Sequence, residues 1–261
     1  MSDDLSKCAL SDELLTTNDF LGGRLRIRQP RDGYRAGVDP VLLAASVPAR
    51  AGDSVLDLGC GVGVAGLCLA SRVEGLTLSG LELQPDYAEL ARRNARANGI
   101  AMDVVTGDLT AMPERLRQRQ FTHVLVNPPY FDRNVSTSAL DAGRETALGE
   151  VTPLAAWVKA AARRTAPKGT VTFIHRIERM PDLLAELSRH VGSLEVLPLI
   201  PRRGRSARLI LIRGRKGGRA PFRLHDGWVL HAGAEHTGDG ENYTDATACV
   251  LRQGQHLPFQ P

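Results

Sequence analysis

The chain has 261 residues, 43% of them hydrophobic, enough for one α/β domain with terminal additions. No stretch approaches the roughly 18 apolar residues of a membrane helix, and the acidic start Ser2-Asp3-Asp4 lacks the basic-then-apolar order of a signal peptide, so a cytoplasmic protein is expected. The net charge is a modest +4, and the four cysteines, Cys8, Cys60, Cys68 and Cys249, form no Cys-x-x-Cys pair, which argues against a disulfide framework and against a zinc site.

In chain order, Phe20–Arg28 alternates like a short strand, and Asp39-Pro40-Val41-Leu42-Leu43-Ala44-Ala45 reads as a helix entry with Asp39 at or near its cap. From about Ser54 to His190, apolar runs of strand length alternate with amphipathic helical segments, the pattern of a parallel sheet covered on both faces. The strands fall at Val55–Leu58, Leu76–Leu81, Asp103–Thr106, Thr122–Val126 and Thr170–His175. The helices fall at Val64–Arg72, Pro85–Asn98 and Leu154–Thr165, with a further one around Pro181–His190. Leu194–Ile200 and Ala207–Arg213 are then separated by a segment too short for a helical crossover, so they form an antiparallel hairpin. The expected fold is α/β: a mostly parallel, seven-stranded sheet with a C-terminal antiparallel hairpin and helices on both faces, the Rossmann-like arrangement of class I methyltransferases. Residues 51–214 would be the catalytic domain, 1–50 an N-terminal strand and helix packed on it, and 215–261 a basic, glycine-rich C-terminal extension.

Charge is uneven along the chain. Between Pro201 and Arg223 lie Arg202, Arg203, Arg205, Arg208, Arg213, Arg215, Lys216, Arg219 and Arg223 with no acidic residue, and the remainder of the chain is net acidic. If Leu194–Ile200 runs parallel to the earlier strands, the turn after it lies at their carboxyl ends, where open α/β sheets bind ligands. Arg202, Arg203 and Arg205 would then flank the active face and meet a phosphate backbone, although a plain solvated turn explains such a run as well.

Val55-Leu56-Asp57-Leu58-Gly59-Cys60-Gly61-Val62-Gly63 is an apolar strand entering a glycine-rich turn and then a helix. Glycines let a ligand approach the backbone, and a helix N-terminus favours negative charge. The same spacing satisfies a dinucleotide fingerprint, so a nicotinamide or flavin enzyme is the competing reading. Against it, Gly59 and Cys60 intervene before the fingerprint, and Asp57 suits the cationic amino group of S-adenosylmethionine. Glu82, in Leu81-Glu82-Leu83, would accept the ribose hydroxyls, and Asp108, in Gly107-Asp108-Leu109, the adenine amino group.

Asn127-Pro128-Pro129-Tyr130 follows the strand Val124-Leu125-Val126 and belongs at the same edge. An amine conjugated to a ring or carbonyl is a poor nucleophile. Acceptors at the Asn127 side chain and the Pro128 carbonyl would pull it toward tetrahedral geometry, with no strong base required. The prolines fix those acceptors, and the Tyr130 ring offers a face for stacking. The motif leaves open a base amine or a glutamine amide, and a base would have to be unpaired or flipped out. The polar segment Asp132–Glu150, with Arg133 and Arg144, is expected to be a mobile substrate loop.

On these residues the chain resembles the bacterial tRNA adenine methyltransferases that modify the 6-amino group of the anticodon-adjacent adenine of valine tRNA. The resemblance is carried by Gly33-Tyr34-Arg35-Ala36-Gly37-Val38-Asp39 with Leu42-Leu43-Ala44, the glycine turn, Glu82, Asp108, Asn127-Pro128-Pro129-Tyr130-Phe131, and the late Leu230-His231 and Tyr243-Thr244. It implies that Asp39 approaches the methionine end of the cofactor and that Phe131 joins Tyr130 at the substrate. Release-factor glutamine methyltransferases share the catalytic motif and are the alternative, with guanine 2-amino methyltransferases of rRNA third; a cofactor-binding module without activity is the reading from another class. The glutamine enzymes look like a sizeable helical domain followed by the catalytic one, whereas only about 50 residues precede the glycine turn here. His225, His231 and His236 have irregular spacing and suggest no metal site.

Overall fold

A computed structural model describes residues 11–129, 152–233 and 242–259. The single strand expected over Phe20–Arg28 is instead an antiparallel pair, Leu15–Phe20 (β1) and Leu25–Pro30 (β2), with Leu15 opposite Pro30 and Phe20 opposite Leu25. The chain reverses at Leu21, Gly22 and Gly23, all with positive φ, and two of the three are the residue type that adopts it without strain. Asp39–Ser46 (α1) starts at Asp39, next to the capping residue Val38, so Asp39 lies near the cap as expected and places its charge in the first turn.

The strands Ser54–Leu58 (β3), Thr77–Glu82 (β4), Met102–Thr106 (β5), Phe121–Val126 (β6) and Thr165–Arg176 (β7) form the parallel part of the main sheet. Val64–Arg72 (α2), Pro85–Ala97 (α3), the one-turn Glu114–Arg117 (α4) and Leu154–Arg164 (α5) connect them. β7 exceeds its expected span because its pairing with β6 begins at Thr165 opposite Phe121 and passes a register irregularity before Thr170. Met180–Ser188 (α6) leads to Gly192–Arg202 (β8) and Leu209–Arg215 (β9), the expected antiparallel hairpin, with β9 antiparallel to β7 as well. Arg223–Leu224 (β10) and Trp228–His231 (β11), too short to show a sequence pattern, add to the outer edge of β8. The order across the sheet is β10-β8-β9-β7-β6-β3-β4-β5, with β11 also on β8.

Alternation divides the strand side chains between two layers: Val124 and Val126 enter a core with Leu154, Val158, Leu183 and Leu187, whereas Leu125 enters the opposite core with Leu42, Leu67 and Leu90. That second core also contains Leu25 and Ile27 of the N-terminal pair, Val250 of the final helix Asp245–Gln253 (α7), and Leu257 and Phe259. The ends of the chain therefore meet on one face of the sheet. No helix among the described residues is long and apolar enough to cross a membrane.

β3 is flanked by β4 on one side and β6 on the other, so the direction of winding reverses between β3 and β6. At such a switch point the connections leave in opposite directions and open a crevice beyond the carboxyl ends of the strands.

Candidate active site

That crevice is a cleft of about 1080 Å³ including its open mouth. Gly59 and Gly61 come from the turn after β3, Glu82, Leu83 and Gln84 from the end of β4, Gly107, Asp108 and Leu109 from the end of β5, and Asn127, Pro128 and Pro129 from the end of β6. Parallel register, with Leu58 opposite both Leu81 and Val126 and Glu82 opposite Thr106, brings these four ends level. Tyr34, Tyr87, Thr152 and Trp157 complete the wall.

The glycine turn is held by backbone and carboxylate together. Gly59 and Cys60 N–H both donate to the Leu81 carbonyl, at 2.8 and 3.0 Å. The Glu82 carboxylate accepts from Gly61 N–H at 2.9 Å through one oxygen and from Gln84 N–H at 2.9 Å through the other. Glu82 is only 7% exposed, and burial raises its pKa against those same hydrogen bonds. A carboxylate has about four acceptor sites, so the backbone bonds from Gly61, Gln84 and Leu83 do not exhaust its capacity toward the cleft. The glycines differ in purpose. Gly61 has φ +54° and a Cβ there would meet nothing within 4 Å, whereas a Cβ on Gly59 would lie 2.5 Å from the Trp157 indole. Gly59 thus makes room for a side chain of α5, and Gly61 leaves its backbone open.

Asp57 is elsewhere. Its carboxylate, 2% exposed and not lining the cleft, accepts from Gly66 N–H at 2.8 Å in the first turns of α2. Burial pushes its pKa up to about 7, the Gly66 hydrogen bond opposing and the nearby Glu82 adding to the rise. Asp39, Cys60 and Gly63 do not line the cleft either: Asp39 is the first residue of α1, Cys60 is buried, and Gly63, with φ +93°, is the residue before α2. Arg202, Arg203 and Arg205 do lie at the carboxyl edge, Arg202 as the last residue of β8 and the other two after it, but β7 and β9 stand between β8 and β6. At about 4.8 Å per strand that is roughly 14 Å from the cleft. Tyr130 and Phe131 lie outside the described residues, as do Asp132–Glu150 and His236.

Tyr34, Tyr87 and Trp157 were not among the expected site residues. Tyr34 lies within the Gly33–Asp39 segment that carries the resemblance, and its own signal, an aromatic between a glycine and an arginine, was present there. Tyr87 and Trp157 sit on α3 and α5, where an aromatic reads equally as core.

The residues present fit S-adenosylmethionine. A buried carboxylate faces the cleft beside an open glycine backbone, and Leu83, 56% exposed, and Leu109 offer apolar surface next to Asp108.

Residues 36–148 match the methyltransferase small domain family. A tRNA1(Val) (adenine(37)-N6)-methyltransferase of Actinobacillus succinogenes is 30% identical over 200 residues, covering 75% of this chain and 82% of that one. Its counterpart in Porphyromonas gingivalis strain W83 is 32% identical over 178 residues, covering 65% and 69%. Among solved structures, a protein of Agrobacterium tumefaciens described as a predicted O-methyltransferase superposes with a TM-score of 0.67 at 24% identity, covering 84% of this chain and 98% of its own. A 16S rRNA N2 G1207 methyltransferase of T. thermophilus, in complex with AdoMet and guanosine, gives 0.54 at 19%, covering 77% and 50%. These likenesses establish the class I methyltransferase fold for the sheet and helices described above.

Proposed function

The chain belongs to the tRNA1(Val) (adenine(37)-N6)-methyltransferase family, and from that membership we infer that it methylates the 6-amino group of an adenine in tRNA, the anticodon-loop adenine of valine tRNA. The observation that carries the reading is that Asn127, Pro128 and Pro129 open onto the same cleft as Glu82, Leu83, Asp108 and Leu109. On this reading donor and acceptor sites share one space, which the common lining at the ends of adjacent parallel strands supports. The relatives favour a tRNA adenine over the glutamine amide that the motif alone allows.

S-adenosylmethionine, when bound, supplies an electrophilic methyl group on a sulfonium centre. Glu82 would accept its ribose hydroxyls, Asp108 its adenine amino group, and Leu83 and Leu109 would cover the purine faces. Asp57 acts through the turn, by fixing the start of α2 with its bond to Gly66. At the acceptor, the Asn127 side-chain oxygen and the Pro128 carbonyl would receive the two N–H groups of the adenine amine, freeing its lone pair for in-line attack. As the nitrogen takes the methyl carbon, the methyl–sulfur bond would break and leave S-adenosylhomocysteine, and the nitrogen gives up one proton to solvent, so no strong base is needed. Tyr130 would stack on the flipped base, with Phe131 beside it. A cytoplasmic location follows from a tRNA substrate.

Asn127→Ala should lower kcat by about 10²- to 10³-fold, the size of losing one preorganised transition-state contact, with cofactor affinity retained. Nucleoside mass spectrometry of tRNA from a deletion strain, before and after incubation with the purified protein, checks the acceptor. If 6-methyladenine is not lost on deletion and restored by the protein, the adenine assignment fails.

A further inference from the structure

The side chain that touches Asn127 comes from the far end of the sequence. Asn127 Nδ2 donates to Tyr34 Oη at 3.4 Å, the one hydrogen bond of this side chain among the described residues. A carboxamide has a donor end and an acceptor end, and half a turn about its last bond exchanges them. An amine acceptor needs the oxygen, so an Asn127 free to turn would present the wrong end part of the time.

The chain around Tyr34 is held from two sides. On one side, Arg35 Nη1 donates to Thr16 Oγ1 at 2.7 Å and to the Pro30 carbonyl at 3.1 Å, and its Nη2 to Asn18 Oδ1 at 2.9 Å. Ala36 N–H donates to Oε1 of the buried Gln29 at 2.8 Å. From α3, Tyr87 Oη donates to the Tyr34 carbonyl at 3.4 Å, and Gly33, at φ +103°, passes so close that a Cβ would lie 3.1 Å from that hydroxyl. The hairpin β1–β2 and α3 thus clamp the residues on either side of Tyr34, and its ring, 40% exposed, forms part of the cleft wall. Burial of the hydroxyl, then the neighbouring Asp39 carboxylate, push its pKa up to about 12, so it is a neutral hydroxyl throughout the working range.

We propose that Tyr34 is a positioning residue: its hydroxyl accepts from the nitrogen of the Asn127 carboxamide and restrains that side chain in the orientation that turns its oxygen toward the acceptor amine. This rests on the reading of Asn127 as the group that receives the amine. It also gives the N-terminal hairpin a role at the site that it does not itself reach, because it anchors the loop from which Tyr34 extends.

The test uses the full chain with Tyr34→Phe, which keeps the ring and removes the hydroxyl. In ¹⁵N-labelled protein the Asn127 carboxamide signal is identified by its absence from Asn127→Ala, a readout that needs no acceptor. The expected result is a shift of that signal in Tyr34→Phe, with kcat on tRNA down roughly tenfold, the size of one lost hydrogen bond acting in the transition state. The KM for tRNA and the Kd for S-adenosylmethionine should stay within about twofold. In the Asn127→Ala background, Tyr34→Phe should cost nothing further. An unmoved carboxamide signal, a change in KM alone, or an equal further loss in that background overturns the proposal. If the wild-type protein forms no 6-methyladenine and yet the signal shifts, the adenine reading fails while the Tyr34–Asn127 contact stands.

Discussion

At Asp57, burial works against charge. Its folded pKa of about 7 lies well above its ordinary value of 3.8, so between those values the folded state carries a proton that the unfolded state has lost. The contribution of Asp57 to stability is present below about pH 4 and is lost as pH rises through 7, by at most about 1.4 kcal/mol per pH unit. His175 has the opposite sign. Burial, then the charges of Arg179 and Arg176, lower its pKa from 6.5 to about 4, and its Nδ1 accepts from Arg176 N–H at 2.8 Å, so its contribution is present above 6.5 and lost as pH falls toward 4. The two slopes offset one another in the wild type. Asp57→Asn keeps an oxygen for Gly66 N–H and removes one slope. It should be more stable than wild type at pH 8, and its stability should rise from pH 4 to 6.5. Urea midpoints across pH 4 to 8 check this; curves that coincide with wild type at every pH would mean that Asp57 is not protonated in the folded state. That an acid occupies position 57 was legible in the sequence. Which way its carboxylate points depends on packing against α2, and no local pattern encodes that.

The hairpin β1–β2 is joined to α3 by two asparagines one helical turn apart. Asn94 Oδ1 accepts from Arg28 N–H at 2.9 Å, and its Nδ2 donates to the carbonyls of Arg28 and Val62, both at 3.0 Å. Asn98 does the same with Arg26, at 2.9 Å each way. A carboxamide has the donor and acceptor of a peptide unit, so α3 pairs with the edge of β2 as another strand would. Asn94 is fully buried, and its replacement by alanine takes the partner from the buried Val62 carbonyl and from the part-buried N–H and carbonyl of Arg28, a loss of about 2 to 3 kcal/mol. Asn98→Ala, near solvent, should cost less than half as much. Chemical denaturation of both variants measures the difference, and equal losses would contradict this account of the junction. The pairing was hidden in the sequence for two reasons. Period-two alternation reads the same on both sides of a reversal, so Leu21–Gly23 passed for strand, and asparagine on a helix reads as a polar face.

Across the whole molecule, β9 separates the basic run into unlike parts. Arg202, Arg203 and Arg205 lie at the carboxyl edge that carries the cleft, whereas Arg215 and Lys216 lie at the other end of β9, where they donate to the Lys168 and Ala162 carbonyls at 3.1 Å each. Arg213 pairs with Glu195 at 2.7 Å and lies over the Phe259 ring at 4.2 Å, which ties the C-terminal residues to the sheet. If tRNA enters over the cleft, replacing Arg202, Arg203 and Arg205 by alanine should weaken tRNA binding. Each lost phosphate contact should flatten the dependence of log affinity on log salt by about 0.7 to 0.9. Replacing Arg215, Lys216 and Arg219 should leave that slope nearly unchanged, and S-adenosylmethionine affinity should be the same in both. Binding measured from low to moderate salt separates the two sets; a larger loss from the second set would put the RNA on the other edge.

The sequence by itself determined the alternation of longer strands and helices from β3 to β9, the C-terminal hairpin, and the row of Gly59, Gly61, Glu82, Asp108 and Asn127 at successive strand ends. Those features are local, because hydrophobic periodicity, glycine and proline act within a few residues of where they stand. Tertiary structure decided the rest. Tyr34 reaches Asn127 across 93 positions, Trp157 occupies the room beside Gly59, and Asp57 turns toward Gly66. Each depends on which surfaces meet when the sheet closes its two layers, and free energy of packing between distant segments leaves no periodic mark on either segment alone.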